Sequence, residues 1–253
     1  IYIADMELWT KNASIIGYAD DTSTSISSES IEDVVKGLEA ESNRILRFMA
    51  SNFLSANAQK TGLLVIRSKC LRDRITINVG GENIEEDDHQ RILGVVVNNR
   101  LTWSDHIYGK GALLQGVNRR VGMLKRIVGY VPPKSLSQIA NALVSSKVRY
   151  GIGIYGDVRT EAQEPLTASS KDLQVAMNKA MRVILGCRLS DRVPISDLVT
   201  HSGLPTVNRM AAEEKIMLMW KAINDPQCPL SQLVKPEAAN GKNLRSNSRR
   251  DVK

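Results

Sequence analysis

The fold is decided by one stretch near the start of the chain, Ser14-Ile15-Ile16-Gly17-Tyr18-Ala19-Asp20-Asp21-Thr22-Ser23-Thr24-Ser25-Ile26. After the aspartates, Thr22, Thr24 and Ile26 alternate with serines, which predicts a half-buried strand. The residues before the aspartates form a second short run of strand type. Aspartate tolerates turn conformations because its side chain bonds to nearby backbone groups. The stretch therefore predicts a β-hairpin with Asp20 and Asp21 at its tip.

Two adjacent carboxylates at a chain reversal favour a bound cation. Each negative charge makes ionisation of its neighbour more costly unless a cation offsets it. Mg²⁺ is the natural candidate, because this hard ion is held through one or two carboxylates while substrate phosphates fill other positions. The alternative is a solvated hairpin tip that binds nothing.

The following residues predict an α+β order of elements. Apolar residues at helical spacing predict an amphipathic helix with a capping box at Ser30 and Asp33 and an end between Ser51 and Asn57. Its charged face is predicted to contain Lys36, Glu39, Glu41, Arg44 and Arg47. The predicted strands are Leu63 to Ile66, Ile75 to Val79 and Leu93 to Val97, with a Gly80-Gly81 turn and an edge segment from Glu82 to Ile84.

From Trp103 onward the pattern is helical. Basic residues interleave with the apolar positions of the first helix, which Pro132-Pro133 interrupts. Further helices are predicted over about Lys134 to Val148, Asp172 to Leu185, Val193 to Thr200 and Val207 to Ile223. Trp220 and its neighbours Met217-Leu218-Met219 are predicted to be core. The polar tail from Lys235 is predicted to be disordered.

The composition limits the classes of protein and site. A chain of 253 residues with 42% hydrophobic content can bury a core. Cys70, Cys187 and Cys228 lack the spacing of a disulfide framework or a zinc site, and the histidines are equally scattered. No apolar run is long enough for a bilayer span, and no signal peptide is visible. Because the sequence begins with Ile1 in mid-pattern, we expect it to be cut from something longer.

Charge is segregated along the sequence. Residues 1–60 hold five Lys/Arg and nine Asp/Glu, a net charge of −4, whereas residues 100–160 hold ten and two, a net charge of +8. Clustered positive charge favours polyanion binding, because each neutralised phosphate releases condensed counterions. The alternative is a basic surface that faces only water.

The ordered motifs resemble a known family. They are the Tyr18-Ala19-Asp20-Asp21 tetrapeptide, the run Asn57-Ala58-Gln59-Lys60-Thr61, then Leu93-Gly94-Val95 and Leu101-Thr102-Trp103-Ser104-Asp105-His106-Ile107. Over roughly the first 160 residues this series resembles the reverse transcriptases of non-LTR retrotransposons. The resemblance implies half of a polymerase palm over residues 1–98, a basic helical thumb over 99–160, a helical extension over 161–234 and a tail over 235–253.

The resemblance implies RNA-directed DNA synthesis, in which a primer 3′-oxygen attacks the α-phosphate of a deoxynucleotide and pyrophosphate leaves. Two Mg²⁺ ions support such a transfer. Asp20 and Asp21 would be metal ligands, and Tyr18 would lie beneath the primer terminus. The family's further metal-bridging aspartate lies upstream of the motif and is missing from this sequence. We therefore expect the isolated chain to be inactive.

The resemblance also implies roles outside the hairpin. Lys60 would neutralise the triphosphate, although a solvated lysine at a helix exit fits equally well. Leu93 and Gly94 would belong to a primer-gripping hairpin, although Leu-Gly-Val is also an ordinary apolar strand. The thumb would contact the phosphates and 2′-hydroxyls of the template–primer duplex through Arg119, Arg120, Lys125 and Arg126. Trp103 and His106 are predicted to be packing residues.

Three functions remain open from the sequence. The first is part of a retrotransposon polymerase that works only within its full-length parent, with RNA template, DNA primer, dNTP, fingers, upstream palm and endonuclease as partners. The second is a non-catalytic nucleic-acid-binding remnant. A Mg²⁺-dependent phosphohydrolase is the third, and it lacks a third carboxylate or histidine at suitable spacing. The family implies a nuclear or cytoplasmic ribonucleoprotein and no membrane association.

Overall fold

The computed structural model describes residues 5–57, 60–67, 74–158 and 167–234. Its elements form a mixed α+β structure, which confirms the predicted α+β class, and the polymerase palm and thumb stay predictions. The chain divides into two compact units, with the boundary between Ala112 and Leu113. All strands of the described residues belong to the first unit, and the second is helical. The boundaries predicted after residues 98 and 160 stay predictions, and both Cys70 and the tail from Lys235 lie outside the described residues.

In the first unit, a short 3₁₀-helix precedes seven strands and two α-helices of the described residues. The elements are the 3₁₀-helix Met6–Trp9, β1 Ser14–Tyr18, β2 Asp21–Ser25, α1 Ile31–Ser51, β3 Leu63–Leu64, β4 Thr76–Val79, β5 Glu82–Asp87, β6 His89–Ile92, β7 Val95–Asn98 and α2 Ser104–Tyr108. The predicted hairpin and the predicted long helix are both confirmed.

The hairpin of β1 and β2 packs on α1 through a small apolar cluster. Ile15 contacts a buried group formed by Met6, Ile45 and Phe48. Glu41 fixes the chain just before β1, because its carboxylate accepts hydrogen bonds from two backbone N–H groups, those of Lys11 (3.2 Å) and Asn12 (3.1 Å). An ion pair with Arg44 completes its contacts. The hairpin is therefore held both by apolar packing and by a buried carboxylate.

That carboxylate corrects two predictions about α1. Glu41 was predicted on the charged face in water, but its side chain is 1% exposed because it binds the Lys11–Asn12 backbone. Ser30 occupies the predicted N-cap position, but its side chain makes no capping hydrogen bond, so the predicted capping box is wrong.

The second apolar cluster of this unit lies between α1 and a three-stranded sheet in the order β3-β5-β4. Leu63, Ile77 and Ile84 are its buried residues, and Val35 and Leu38 of α1 pack against them. The predicted edge segment from Glu82 to Ile84 is the first half of β5, and among the described residues it pairs only with β4. β3 pairs with β5 farther along, at Glu86 and Asp87. The Gly80-Gly81 turn is confirmed, and both glycines have positive φ angles, +63° and +90°.

A separate hairpin, β6 and β7, corrects the strand predicted from Leu93 to Val97. Leu93 (φ +47°) and Gly94 (φ +84°) form its two-residue turn, so the strand begins only at Val95. Positive φ at both central positions is typical of a type I′ turn, whose twist matches the flanking strands. His106 of α2 is buried beside this hairpin, and its Nδ1 accepts the N–H of Val96 (3.3 Å).

The second unit packs its helices around one apolar core. Its elements are α3 Leu113–Ile127, α4 Pro133–Ala140, a π-helical turn Asn141–Ser145, α5 Ser146–Arg149, α6 Ile152–Tyr155, α7 Ala168–Leu185, a 3₁₀-helix Leu189–Asp191, α8 Ile195–Ser202, α9 Val207–Asn224 and a 3₁₀-helix Pro229–Gln232. α3, α4 and α8 all contact α7, whose Leu173, Met177 and Met181 are fully buried.

One prediction about this core is wrong. Trp220 is 60% exposed, and Met217, Leu218 and Met219 are 54%, 36% and 51% exposed, although the sequence predicted all four to be core. The core side of α9 is instead provided by Val207 and Met210 at its start. α9 therefore presents apolar side chains both to the core and to the outside.

Candidate functional site

The aspartate pair lies at the tip of a tight hairpin. Tyr18 and Asp21 form the last cross-strand pair, so Ala19 and Asp20 are the two residues of the loop. Ala19 has a φ of +54°, in the left-handed region that non-glycine residues adopt at a cost of roughly 1–2 kcal/mol. A two-residue hairpin loop requires a positive φ at one or both of its central positions, so the turn itself accounts for this conformation.

The two faces of the hairpin differ in burial as the sequence predicted. Ile15, Thr22 and Thr24 are partly buried on the side that packs on α1. Tyr18 is 66% exposed and, as the cross-strand partner of Asp21, shares the outer face with it. The outer face therefore presents an aromatic ring beside a carboxylate.

Both carboxylates are available to a ligand. Asp20 and Asp21 are exposed, and within the described part of the chain neither side chain makes a hydrogen bond or an ion pair. Two neighbouring carboxylates with no basic partner are a donor set that suits Mg²⁺ when phosphate or water oxygens supply the other ligands. The residues at the tip thus fit one such ion through oxygen atoms alone.

The structure places the other predicted palm residues on separate elements. Lys60 is exposed in the turn before β3, where its N–H donates to the carbonyl of Asn57 (3.0 Å). Leu93 and Gly94 lie at the tip of the β6–β7 hairpin. The hairpin with the aspartates and the β6–β7 hairpin are separate sheets, and Lys60 forms no ion pair with a carboxylate among the described residues.

The second unit carries the predicted basic residues on α3. Arg119, Lys125 and Arg126 are exposed on α3, Arg119 and Arg126 on the side opposite the buried Val117 and Leu124 and Lys125 at the edge of that side. The sequence from residue 106 to residue 156 contains eight Lys/Arg and no Asp/Glu. A stretch of sequence with clustered positive charge and no acidic residue attracts polyanions.

Arg120 differs from the other three predicted duplex-binding residues, Arg119, Lys125 and Arg126. It is half-buried, and its guanidinium Nη1 donates to the carbonyl of Leu143 (2.7 Å). Leu143 lies in the π-helical turn that separates α4 from α5, where the regular ladder of helical hydrogen bonds is interrupted. Arg120 therefore joins α3 to this turn, in addition to its predicted role in contacting a duplex.

Lys147 is a basic residue near α3 that the sequence reasoning missed. A Cβ atom at Gly116 would lie 3.8 Å from Cε of Lys147. The aliphatic part of the Lys147 side chain therefore packs against α3 at Gly116. No sequence signal identifies this contact, because it depends on how α5 packs against α3. Lys147 adds positive charge one helical turn before Arg119.

The described residues contain neither a larger cluster of metal-ligand side chains nor a helix that could span a bilayer. No group of three or more His, Cys, Asp or Glu side chains there could hold a metal ion. Every helix of the same residues is too short or too polar for a bilayer span.

Comparison with known proteins adds no assignment: no protein-family model, no curated protein and no solved structure matches this chain. The resemblance to reverse transcriptases therefore stays a prediction that rests on the residues themselves.

Proposed function

We propose that this chain contributes a carboxylate hairpin and a basic duplex-binding helix to an RNA-directed DNA polymerase of the non-LTR retrotransposon type. One observation carries the proposal. Within the described residues, the adjacent carboxylates of Asp20 and Asp21 are exposed and make no hydrogen bond or ion pair, and Asp21 is the cross-strand partner of the exposed Tyr18. Two carboxylates that no side chain of the described residues neutralises leave their oxygen atoms available to a hard cation such as Mg²⁺.

In this proposal the hairpin residues hold and orient the reacting groups. Asp20 and Asp21 would hold Mg²⁺, whose charge would help to activate the primer 3′-oxygen and to stabilise the leaving pyrophosphate. Tyr18 would support the primer terminus with its exposed ring. Lys60 would contribute positive charge toward the triphosphate, as charge stabilisation of phosphoryl transfer requires. A further carboxylate from the longer protein would complete the metal site.

The basic face of α3 would bind the duplex through its backbone. Arg119, Lys125 and Arg126 are exposed and have no acidic residue near them in sequence. Their charges suit phosphates, which position a duplex without reading its sequence. An RNA–DNA hybrid has a wide, shallow minor groove that proteins recognise mostly by shape and by 2′-hydroxyl contacts.

Duplex binding can be tested with the full 253-residue chain and a fluorescent RNA–DNA hybrid of about 16 base pairs. We expect affinity to fall steeply between 50 and 200 mM salt, in proportion to the phosphates contacted. The salt slope is the steepness with which the logarithm of the affinity falls with the logarithm of the salt concentration. Replacing Arg119, Lys125 and Arg126 together by alanine should lower this slope by about two to three, since each phosphate contact contributes about 0.9.

The matched control replaces three exposed basic residues outside α3, namely Lys171, Lys179 and Arg188. The control should keep the wild-type slope. Equal slopes for the two triple variants would refute the assignment of the basic face to α3.

Catalysis needs a second experiment in the longer protein that contains this segment. Asp20→Asn should abolish primer extension while the affinity for duplex changes less than about twofold, because the carboxylate serves the reaction and not the binding. Undiminished extension by the variant would remove Asp20 from the site. Duplex binding without extension by the wild-type protein would favour the non-catalytic remnant.

A further inference from the structure

The C-terminal half of α9 carries an apolar stripe that no part of the described chain covers. Ile216 is 67% exposed, Met219 51%, Trp220 60% and Ile223 65%. A helix that is apolar on all sides is normally buried on all sides. The stripe is thus a surface that needs a partner.

The helix is firmly placed, so the stripe is not the product of a loose terminus. The hydroxyl of Thr206 caps its first turn by accepting the N–H of Arg209 (3.1 Å). Gln174 of α7 accepts the N–H of Val207 (2.8 Å). The buried face of α9, including Met210, then docks into the core and directs the opposite face outward.

The spacing of the stripe is that of a coiled-coil seam. Ala212, Ile216, Met219 and Ile223 are separated by four, three and four residues, which is the a/d pattern over two heptads. Trp220 flanks this seam. Next to its C-terminal end, Ala222, Ile223, Pro226, Ser231 and Val234 line a mostly apolar cavity of about 420 Å³. The seam therefore combines projecting side chains with a recess that can accept them.

We propose that a second copy of this chain covers the stripe, with the two α9 helices packed antiparallel around a two-fold axis. In that arrangement Ile216 of each copy faces Met219 of the other, and Ala212 faces Ile223. Each layer then pairs a smaller with a larger side chain, as close packing requires. A parallel arrangement would instead place alanine against alanine, leave a void and bring the two Arg209 side chains together.

Charge and area are both compatible with this two-fold contact. The apolar positions carry no charge, and Glu213 at the edge is already paired within its own chain with Arg209 (2.8 Å) and Arg149 (3.1 Å). Antiparallel helices also oppose their macrodipoles. The exposed side chains offer on the order of 600 Å² per copy, close to the ~800 Å² per partner of a standard interface. This proposal does not depend on the proposed polymerase function.

Sedimentation velocity over a range of concentrations tests the contact with the full chain. We expect a reversible dimer whose dissociation constant rises by about 100-fold or more in Ile216→Glu, because each copy would bury an unpaired carboxylate. The matched control is Val175→Glu, an exposed apolar position on α7 outside the stripe, which should leave the dimer unchanged. Circular dichroism and thermal unfolding confirm that each variant is folded.

Cysteine crosslinking tests the orientation. In a background with the native cysteines replaced by serine, Ile216→Cys combined with Met219→Cys should form interchain disulfides on mild oxidation. Ile216→Cys alone should crosslink poorly, since its antiparallel neighbour is Met219. A monomer at every concentration, a dimer insensitive to Ile216→Glu, or efficient crosslinking by the single variant would overturn the proposal. Protection of the stripe by another protein, with the chain itself monomeric, would overturn it as well.

Discussion

Replacing Glu41 by Gln should destabilise the first unit by about 2–4 kcal/mol, and the contacts of Glu41 give this magnitude. Its side chain is 1% exposed, and each carboxylate oxygen accepts one backbone N–H, from Lys11 or Asn12. Glutamine keeps the shape but replaces one acceptor by a donor, which leaves a buried N–H unsatisfied at a cost of about 1–3 kcal/mol. Loss of the charge on the partner of Arg44 adds about 1 kcal/mol or more.

Urea unfolding and amide hydrogen exchange measure this effect. The exchange of the Lys11 and Asn12 amides should accelerate strongly in Glu41→Gln, because they lose a charged acceptor. The control is Glu32→Gln on the exposed start of the same helix, which should change the free energy of unfolding by less than about 0.5 kcal/mol. Equal effects of the two substitutions, or unchanged exchange at Lys11 and Asn12, would refute the role assigned to Glu41.

Three further predictions concern single side chains. Arg120→Met removes the donor to the Leu143 carbonyl and should lower the free energy of unfolding of the second unit by about 1–3 kcal/mol. Calorimetry of the thermal transition measures this change. Gly80→Ala should cost about 1–2 kcal/mol in urea unfolding, because φ is +63° and the new Cβ would meet a leucine of α1 at 2.7 Å. The hydrogen bond from Arg209 lowers the pKa of Glu213, so Arg209→Ala should raise that pKa toward its usual value in an NMR titration. The stability linked to this lowered pKa is present above the unfolded-state pKa of Glu213 and is lost as pH falls through the folded-state value.

The sequence predicted those parts of the fold that depend on local patterns. Alternation in residues 22–26 predicted the hairpin, helical periodicity predicted α1, and Pro132-Pro133 predicted the interruption between α3 and α4. The alternation and the helical periodicity both arise because one face of the element is buried, and the spacing of apolar residues shows that face in the sequence. The turn at Gly80-Gly81 was equally visible because glycine favours positive φ.

The errors arose where a distant part of the chain decides the environment. Glu41 is buried because a backbone segment thirty residues earlier needs an acceptor, and no local pattern encodes that need. Leu93 was predicted as strand because it begins an apolar run, but its φ is +47° in the turn of the β6–β7 hairpin. Trp220 was predicted as core because apolar residues usually are, and only the packing of α9 shows that its two faces differ.

The candidate site was only partly visible for the same reason. Asp20 and Asp21 were predicted from sequence because their motif is contiguous, and only the structure shows that neither side chain has a partner among the described residues. Arg120 could not be distinguished from Arg119 and Lys125 by composition, because its contact with Leu143 depends on a π-helical turn. The sequence thus shows where the basic residues are concentrated, and only the packing of the helices shows what each basic side chain contacts.

Localised cleavage by bound Fe²⁺ tests the central claim most directly. Fe²⁺ replaces Mg²⁺ at oxygen-ligand sites and, with ascorbate and peroxide, cleaves whatever lies next to it. With the full chain and an RNA–DNA primer–template, we predict cleavage of the protein around residues 18–22 and of the nucleic acid beside the primer 3′ end. Asp20→Asn with Asp21→Asn should abolish both, and excess Mg²⁺ should suppress both. Unchanged cleavage in this double variant, or cleavage confined to other positions, would contradict the account.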